Sequence, residues 1–326
     1  MSPVETGDMG AEPRVWLIGG PTASGKSTLA LRLAEATGGE IVNADSMQLY
    51  RDLRILTARP SAADEALATH HLYAVADGAD IWSVGRWLEA ATAVLADVAA
   101  RGKVAVVVGG TGLYFRALTR GLSAIPAVPP ALRAEVQAEF DALGEAAFRE
   151  RLSEVDPASA DRIAPGDRQR LTRALEVALA AGAPIGAFRG RDVPPLPPGS
   201  WRGAVLEPPR GALYTRCEAR LAAMVEAGAL DEVRALIARG LPADRPVMKA
   251  LGVRELAEHL AGRATLAEAL ALAAQATRRY VKRQTTWLRH QNAVWPRITG
   301  EDGAGQWRQF LAINPSLTLA GDNAIT

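Results

Sequence analysis

The 326-residue sequence contains a single cysteine, Cys217, which excludes an internal disulfide and any metal site built on several thiolates. Excess charge is almost absent. The 37 Lys and Arg face 36 Asp and Glu, a formal net charge of +1, so an anionic partner must be held by local patches, not by a field over the whole surface. No apolar run approaches the roughly 18 residues a membrane span needs, and the first dozen residues show no apolar segment like that of a secretory leader. The expectation is a cytoplasmic protein that keeps clear of membranes. What is present is a 48% hydrophobic composition on a chain long enough for a sizeable core.

Apolar runs and helical spacing alternate along the first third. Val15–Ile18 reads as a buried parallel strand ending at Gly19-Gly20. Ser27–Ala36 has helical spacing, Glu40–Asp45 is a second short strand, Val84–Ala100 a helix and Lys103–Val108 a third strand. This alternation implies a parallel sheet with helices on both faces. From about Pro130 to Phe188 only helical periodicity is found, and a proline-rich linker, Pro194–Ser200, closes the stretch. Trp201–Leu206 returns as a strand, followed by helices near Gly211–Gly228, Leu230–Arg239, Val253–Leu260 and Leu266–His290. The expected organisation is a tail at 1–12, an α/β core at 13–120, a helical insertion at 121–200, the rest of the core with a basic C-terminal helix at 201–316, and a tail at 317–326.

Gly20-Pro21-Thr22-Ala23-Ser24-Gly25-Lys26-Ser27 fits the phosphate-loop pattern G-x-x-x-x-G-K-[ST], with a strand before it and a helix after. Glycines let consecutive N–H groups converge on one concavity, and the helix N-terminus adds positive potential. Lys26 supplies a full charge, and Ser27 a hydroxyl for Mg²⁺. The fold class expected is therefore a P-loop NTPase-like parallel sheet carrying a helical insertion and C-terminal helices. Nucleotide-hydrolysing members of that class place a metal-binding acid after a later strand. Here Lys103–Val108 ends in Gly109-Gly110-Thr111, whereas the second strand ends in Asp45. At that edge a carboxylate can take a proton from a nucleophile, although a lone strand-end Asp also suits a helix cap.

Between Glu268 and Glu301 there is no acid, while Arg278, Arg279, Lys282, Arg283, Arg289 and Arg297 all fall inside the interval. A basic helical face without acid partners suits a phosphate backbone. Gln284, Thr285 and Thr286 on the same helix are placed to reach a sugar or base edge. Gln169–Arg173 adds two cations on one turn, for which internal ion pairs to Asp167 or Glu176 are the alternative. His70-His71 lacks a third ligand nearby, so packing or capping explains it better than metal binding.

Taken in order, these motifs resemble the tRNA dimethylallyltransferases. The resemblance rests on Gly20–Ser27, Asn43-Ala44-Asp45-Ser46-Met47-Gln48-Leu49-Tyr50, Thr57-Ala58-Arg59-Pro60, His70-His71-Leu72, Val108–Tyr114, Gln169–Glu176 and Lys282-Arg283-Gln284-Thr285-Thr286-Trp287-Leu288-Arg289. The family pattern has Gly where Asp52 and Leu56 stand, and Tyr where Val253 stands. The resemblance implies transfer of a dimethylallyl group from its diphosphate to the adenosine 3′-adjacent to the tRNA anticodon, by a monomer using Mg²⁺. It further implies that Gly20–Ser27 and Arg220 hold the diphosphate, with Arg216 a second candidate. Lys26, Asp45 and Thr111 then carry the chemistry. The anticodon stem-loop lies along Asp45, Ser46, Met47, Gln48, Thr111, Arg133, Gln169, Arg170, Leu171, Thr172, Arg173, Lys282, Arg283, Gln284 and Arg289. A small-molecule kinase with ATP in the P-loop and an RNA-binding module with a vestigial P-loop are the alternatives.

Overall fold

The computed structural model describes residues 14–188, 190, 192–315 and 317; the expected tails lie outside these residues except for Leu317. Six strands form one parallel sheet: β1 (Val15–Gly19), β2 (Glu40–Asn43), β3 (His70–His71), β4 (Ala105–Gly109), β5 (Trp201–Leu206) and β6 (Arg297–Ile298), in the order β3-β2-β4-β1-β5-β6. The central strands read as unbroken apolar runs because both faces are covered. Leu17, Val42, Val107 and Val205 enter one core. Their neighbours Trp16, Ile18, Ile41, Val106, Val108, Ala204 and Leu206 enter the other. A period of two thus divides each strand between two hydrophobic layers.

The helices follow in chain order as α1 (Lys26–Thr37), α2 (Ala62–Leu67), α3 (Val84–Ala100), α4 (Gly112–Arg120), α5 (Pro130–Ser153), α6 (Pro157–Arg162), α7 (Arg168–Ala181), α8 (Arg210–Glu226), α9 (Ala229–Ala238), α10 (Val253–Leu260), α11 (Leu266–Gln291) and α12 (Gly303–Ile313). Short β3 and β6, together with α2, α4 and α12, are elements that the sequence reading did not include. Helix α1 begins at Gly25, whose φ of 94° is open to glycine at little cost. The second hydrophobic layer takes Leu29, Ala30 and Leu33 from α1 and Trp307 and Phe310 from α12, and the first takes residues of α3, α4, α9, α10 and α11.

Two compact units emerge: residues 1–119 with 195–326, and residues 120–194. The second is all-helical, and its core gathers Val136, Phe148, Leu152, Leu171, Ala174 and Leu175 from α5 and α7. Buried Asp156 ties it together, accepting from the N–H of Ser159 at 3.0 Å and of Ile185 at 3.1 Å. No described helix is long and apolar enough to cross a membrane.

Candidate active site

The loops that leave β1, β2 and β4 meet at the C-terminal edge of the sheet, where an open parallel sheet offers its ligand crevice. Gly20–Ser27 leaves β1. A Cβ at Gly109 would run into the carbonyl of Ala44, so only glycine lets β4 end this close to β2. That approach sets Thr111 against Asp45-Ser46: Ser46 N–H donates to Thr111 Oγ1 at 3.0 Å, and Thr111 N–H to Ala44 O at 3.1 Å. Asp45 is fixed through its backbone by Asn43, whose Oδ1 accepts from Asp45 N–H at 2.7 Å, and through Oδ1, which accepts from Met47 N–H at 3.0 Å. Asn43 O in turn accepts from the buried indole of Trp87 at 2.9 Å, and that ring stacks on Tyr114 at 3.9 Å.

Around this edge lie two adjoining cavities. One, of about 280 Å³, is lined by Ala23–Thr28, Arg216 and Arg220. The other, of about 260 Å³, has Thr22, Asp45, Ser46, Arg220, Lys249 and Arg283 among its polar lining and Met47, Leu56, Leu221, Met224 and Leu251 among its apolar walls. Arg220 lines both and donates to Thr22 Oγ1 at 3.1 Å. Lys26 Nζ reaches only the carbonyl of Pro21, at 3.3 Å. Burial pushes its pKa down to about 8, with the charge of Asp45 opposing and that of Arg220 adding to the depression. Burial likewise lowers Arg220 below its usual range. The two cavities are thus lined by Lys26, Arg216, Arg220, Lys249 and Arg283, none of which has an ion pair among the described residues. Burial chiefly, and the Asp45 charge next, raise the hydroxyls of Tyr73 and Tyr114. The same two causes raise Tyr280, and all three phenols stay neutral.

Ser27 is exposed on the first turn of α1, and among the described residues no carboxylate lines the phosphate-loop cavity. One hydroxyl without an acidic cage suits Mg²⁺ that is held mainly by a substrate's phosphate oxygens.

Several expectations need correction. Gln284 is buried, its Oε1 accepting from Thr22 N–H at 2.9 Å and its Nε2 donating to Gly110 O at 3.0 Å. Its amide braces the phosphate loop against the β4 turn and, at 5% exposure, is withdrawn from a base edge. Leu171 and Thr172 are buried, Leu171 in the helical core and Thr172 with its hydroxyl returned to Arg168 O at 3.0 Å; both are removed from an RNA-facing set. The basic stripe of α11 is not free of acids either. Arg278 pairs with Glu218, and Arg289 with Glu207. In α7 the alternative of internal pairs holds, with Arg170 on Asp167 at 2.9 Å and Arg173 on Glu176 at 3.4 Å. Glu176 also lies 3.9 Å from Arg133.

Other expected residues remain accessible. Gln169 is exposed, and Arg170 keeps 71% of its side-chain surface despite its pair. Arg279, Lys282, Arg283, Thr286, Trp287 and His290 line an open groove of about 750 Å³ along α11. Arg283 lines this groove and the cavity that holds Asp45. Gln48 spends its Nε2 on Thr57 O and Ala58 O, both at 2.8 Å, and so holds the 51–59 loop at the cavity wall. Asp52 anchors the same loop to Arg239 after α9, while Leu56 lines the cavity and Val253 is buried. His71 Nε2 donates to the Glu40 carboxylate at 2.7 Å.

Residues that the sequence reading missed are Cys217, Leu221 and Met224 of the cavity wall and Glu207 beyond β5. A helix-period count marks the first three as one face of α8, but nothing local says what that face meets.

Two family models match: "IPP transferase" over residues 48–291 and "Isopentenyl transferase" over 13–79. A curated tRNA dimethylallyltransferase from Phenylobacterium zucineum is 62% identical across 94% of this chain and 99% of its own length. The crystal structure of a tRNA isopentenylpyrophosphate transferase from Bacillus halodurans superposes with a TM-score of 0.66 at 31% identity, covering 94% of this chain and 96% of that one. A eukaryotic dimethylallyltransferase captured acting on tRNA shares the fold, with a TM-score of 0.80 at 24% identity over 93% of this chain and 78% of that chain. With a phosphate loop, a strand-end carboxylate and matches of this extent, the chain belongs to the IPP transferase family of transferases.

Proposed function

We propose that this chain transfers a dimethylallyl group from dimethylallyl diphosphate to the exocyclic amine of the adenosine 3′-adjacent to the anticodon of tRNA. The observation that carries the reading is the pair of adjoining cavities, joined by Arg220, one walled by the phosphate loop with Lys26 and Arg216 and the other holding Asp45.

The adenine amine is a weak nucleophile because its lone pair is delocalised into the ring. Its attack on the allylic carbon needs a good leaving group and a proton acceptor. Lys26, Arg220 and the N–H groups of the phosphate loop take up the charge that accumulates as the carbon–oxygen bond to diphosphate breaks. Mg²⁺, held by the diphosphate and Ser27, would neutralise part of the same charge. As the nitrogen–carbon bond forms, Asp45 accepts the amine proton through the carboxylate oxygen not held by Met47. Thr111, set against Ser46 across the turn, positions the adenine beside it. Half-buried apolar side chains along the cavity suit a five-carbon allyl group. The groove along α11, with Arg279, Lys282 and Arg283, and the exposed Gln169 and Arg170 of the helical unit are surfaces for the anticodon stem-loop. The same reading has the enzyme working as a cytoplasmic monomer.

The test is incubation with labelled dimethylallyl diphosphate, Mg²⁺ and unmodified tRNA, with ATP in a parallel reaction. Label at the adenosine beside the anticodon and no ATP consumption is the expected result. Phosphate transfer from ATP to a small molecule, without label in RNA, would return the loop to a kinase. Asp45→Ala is expected to slow the single-turnover rate with tRNA bound by about 10²–10⁴; a rate near wild type would take the base role from Asp45.

A further inference from the structure

The phosphate loop is supported from a part of the chain that neither family match covers. Both matches end by residue 291, and the segment beyond it runs through β6 into α12. There Gln306 is 1% exposed, a rare burial for an amide without a role in packing. Its Nε2 donates to Ser24 O at 2.8 Å and to Gly300 O at 2.9 Å. Two carbonyl partners on one nitrogen fix the orientation of the amide, so its Oε1 lies against Gly25, where a Cβ would collide with it. The Ser24 acceptor adjoins the residues that must aim N–H groups at a phosphate. Rotation of the Ser24–Gly25 peptide would both break the 2.8 Å bond and redirect the Gly25 N–H.

Three further bonds hold this strap in place. Gln309 Oε1 accepts from Thr299 N–H at 2.9 Å and Gly300 N–H at 3.0 Å. On the other side, Arg216 donates to Glu301 O at 3.3 Å while its second terminal nitrogen, buried in the wall of the phosphate-loop cavity, has no partner. The turn at 299–306 therefore touches both the loop and an arginine whose remaining donor is unspent. Gln284 braces the loop from the α11 side; the strap does so from the opposite end of the sequence.

We infer that Gln306 is a positioning residue for diphosphate binding: it holds the Ser24–Gly25 peptide in the anion-receiving orientation, and the 299–306 turn keeps Arg216 aimed into the same cavity. The inference rests on the proposed diphosphate site. Loss of the buried donor leaves two carbonyls unpaired.

The test measures binding of inorganic diphosphate with Mg²⁺ by calorimetry, and the KM for dimethylallyl diphosphate and for tRNA, in the wild type, Gln306→Ala, Gln306→Glu and Gln309→Ala. Gln306→Glu keeps the size and replaces the donor by an acceptor, and Gln309 is exposed, so its variant spares the fold. Expected is a rise of about tenfold or more in diphosphate Kd and donor KM for both Gln306 variants, with a smaller rise for Gln309→Ala, at unchanged tRNA KM. A merely structural role would lower the active fraction, and so the apparent kcat, without moving KM. Diphosphate binding that is as tight in the folded variants as in the wild type would overturn the inference while leaving the site itself intact. Absence of diphosphate binding in the wild type would remove the site and the inference together.

Discussion

The two ends of the same sheet carry charge in opposite ways. At the start of β2, Glu40 is 1% exposed and fully met: His71 at 2.7 Å, Lys103 at 2.9 Å and Arg101 through both terminal nitrogens. The hydrogen bonds from Arg101, then those from Lys103 and His71, overcome the cost of burial and hold its carboxyl down at about 2. At the far end of β1, Lys26 finds only a neutral carbonyl, and burial drives it down to about 8. Both clusters are dense in ionisable groups, and only the second is short of a counter-charge. A saturated cluster holds structure together, whereas cations left waiting for an anion mark the place where a ligand completes the balance.

Substitutions and pH sharpen that contrast. Glu40→Ala removes the buried acceptor of Arg101, Lys103 and His71, whose two strong cations are about two-fifths exposed, so the loss is expected at about 1–3 kcal/mol. Urea denaturation should show that loss, with the single-turnover rate per folded molecule unchanged; a change below about 1 kcal/mol would erase the distinction between the two ends. Lys26→Ala should do the reverse, lowering kcat/KM by about 10²–10³ with stability held or raised, because a desolvated charge is removed.

The pH dependences separate next. Glu40 has a folded pKa below its ordinary 4.5, so its contribution is complete above about 4.5 and is lost as pH falls toward about 2. Lys26 also sits below its ordinary 10.5, but for a cation this opposes folding while both states are charged. Stability should therefore rise between about pH 8 and 10.5. In the same interval donor binding should weaken about tenfold per pH unit as the ammonium is lost. Donor KM measured from pH 7 to 10 checks the second statement, and Lys26→Ala should show neither trend. The smallest effect is expected on the α11 groove. Lys282→Glu should weaken tRNA binding several-fold and flatten its salt dependence by about one to two units of slope. Arg289→Glu, already neutralised by Glu207, should change that slope less, and equal slopes would mean that RNA displaces Glu207.

What the sequence made legible was local. Gly20–Ser27 announces its own conformation, since its glycines, lysine and hydroxyl are needed within one turn of chain. Val84–Ala100 and Val253–Leu260 match their helices because periodicity alone bounds them. Partnership across distance was not legible. The acid-free interval around α11 pointed to bare cations, yet Glu218 and Glu207 reach Arg278 and Arg289 from 60 and 82 residues away. Gln284 had the chemistry of an RNA contact and spends it on Thr22, 262 residues earlier. Leu171 and Thr172 lie inside a motif whose outer face is basic, and a motif written as a string does not say which of its residues turn inward. For the same reason the apolar wall of Leu221 and Met224 stayed invisible until α8 was set beside Asp45.

The stacked pair of Trp87 and Tyr114, with the indole tied to Asn43 O, has a practical consequence. Asn43 holds Asp45 directly, so this indole is a native spectroscopic reporter one residue contact away from the proposed base. Its proton resonance, isolated by comparison with Trp87→Phe, records whether the carboxylate's support shifts when substrates arrive. The enzyme carries its own gauge for a step that kinetics would otherwise report only in sum.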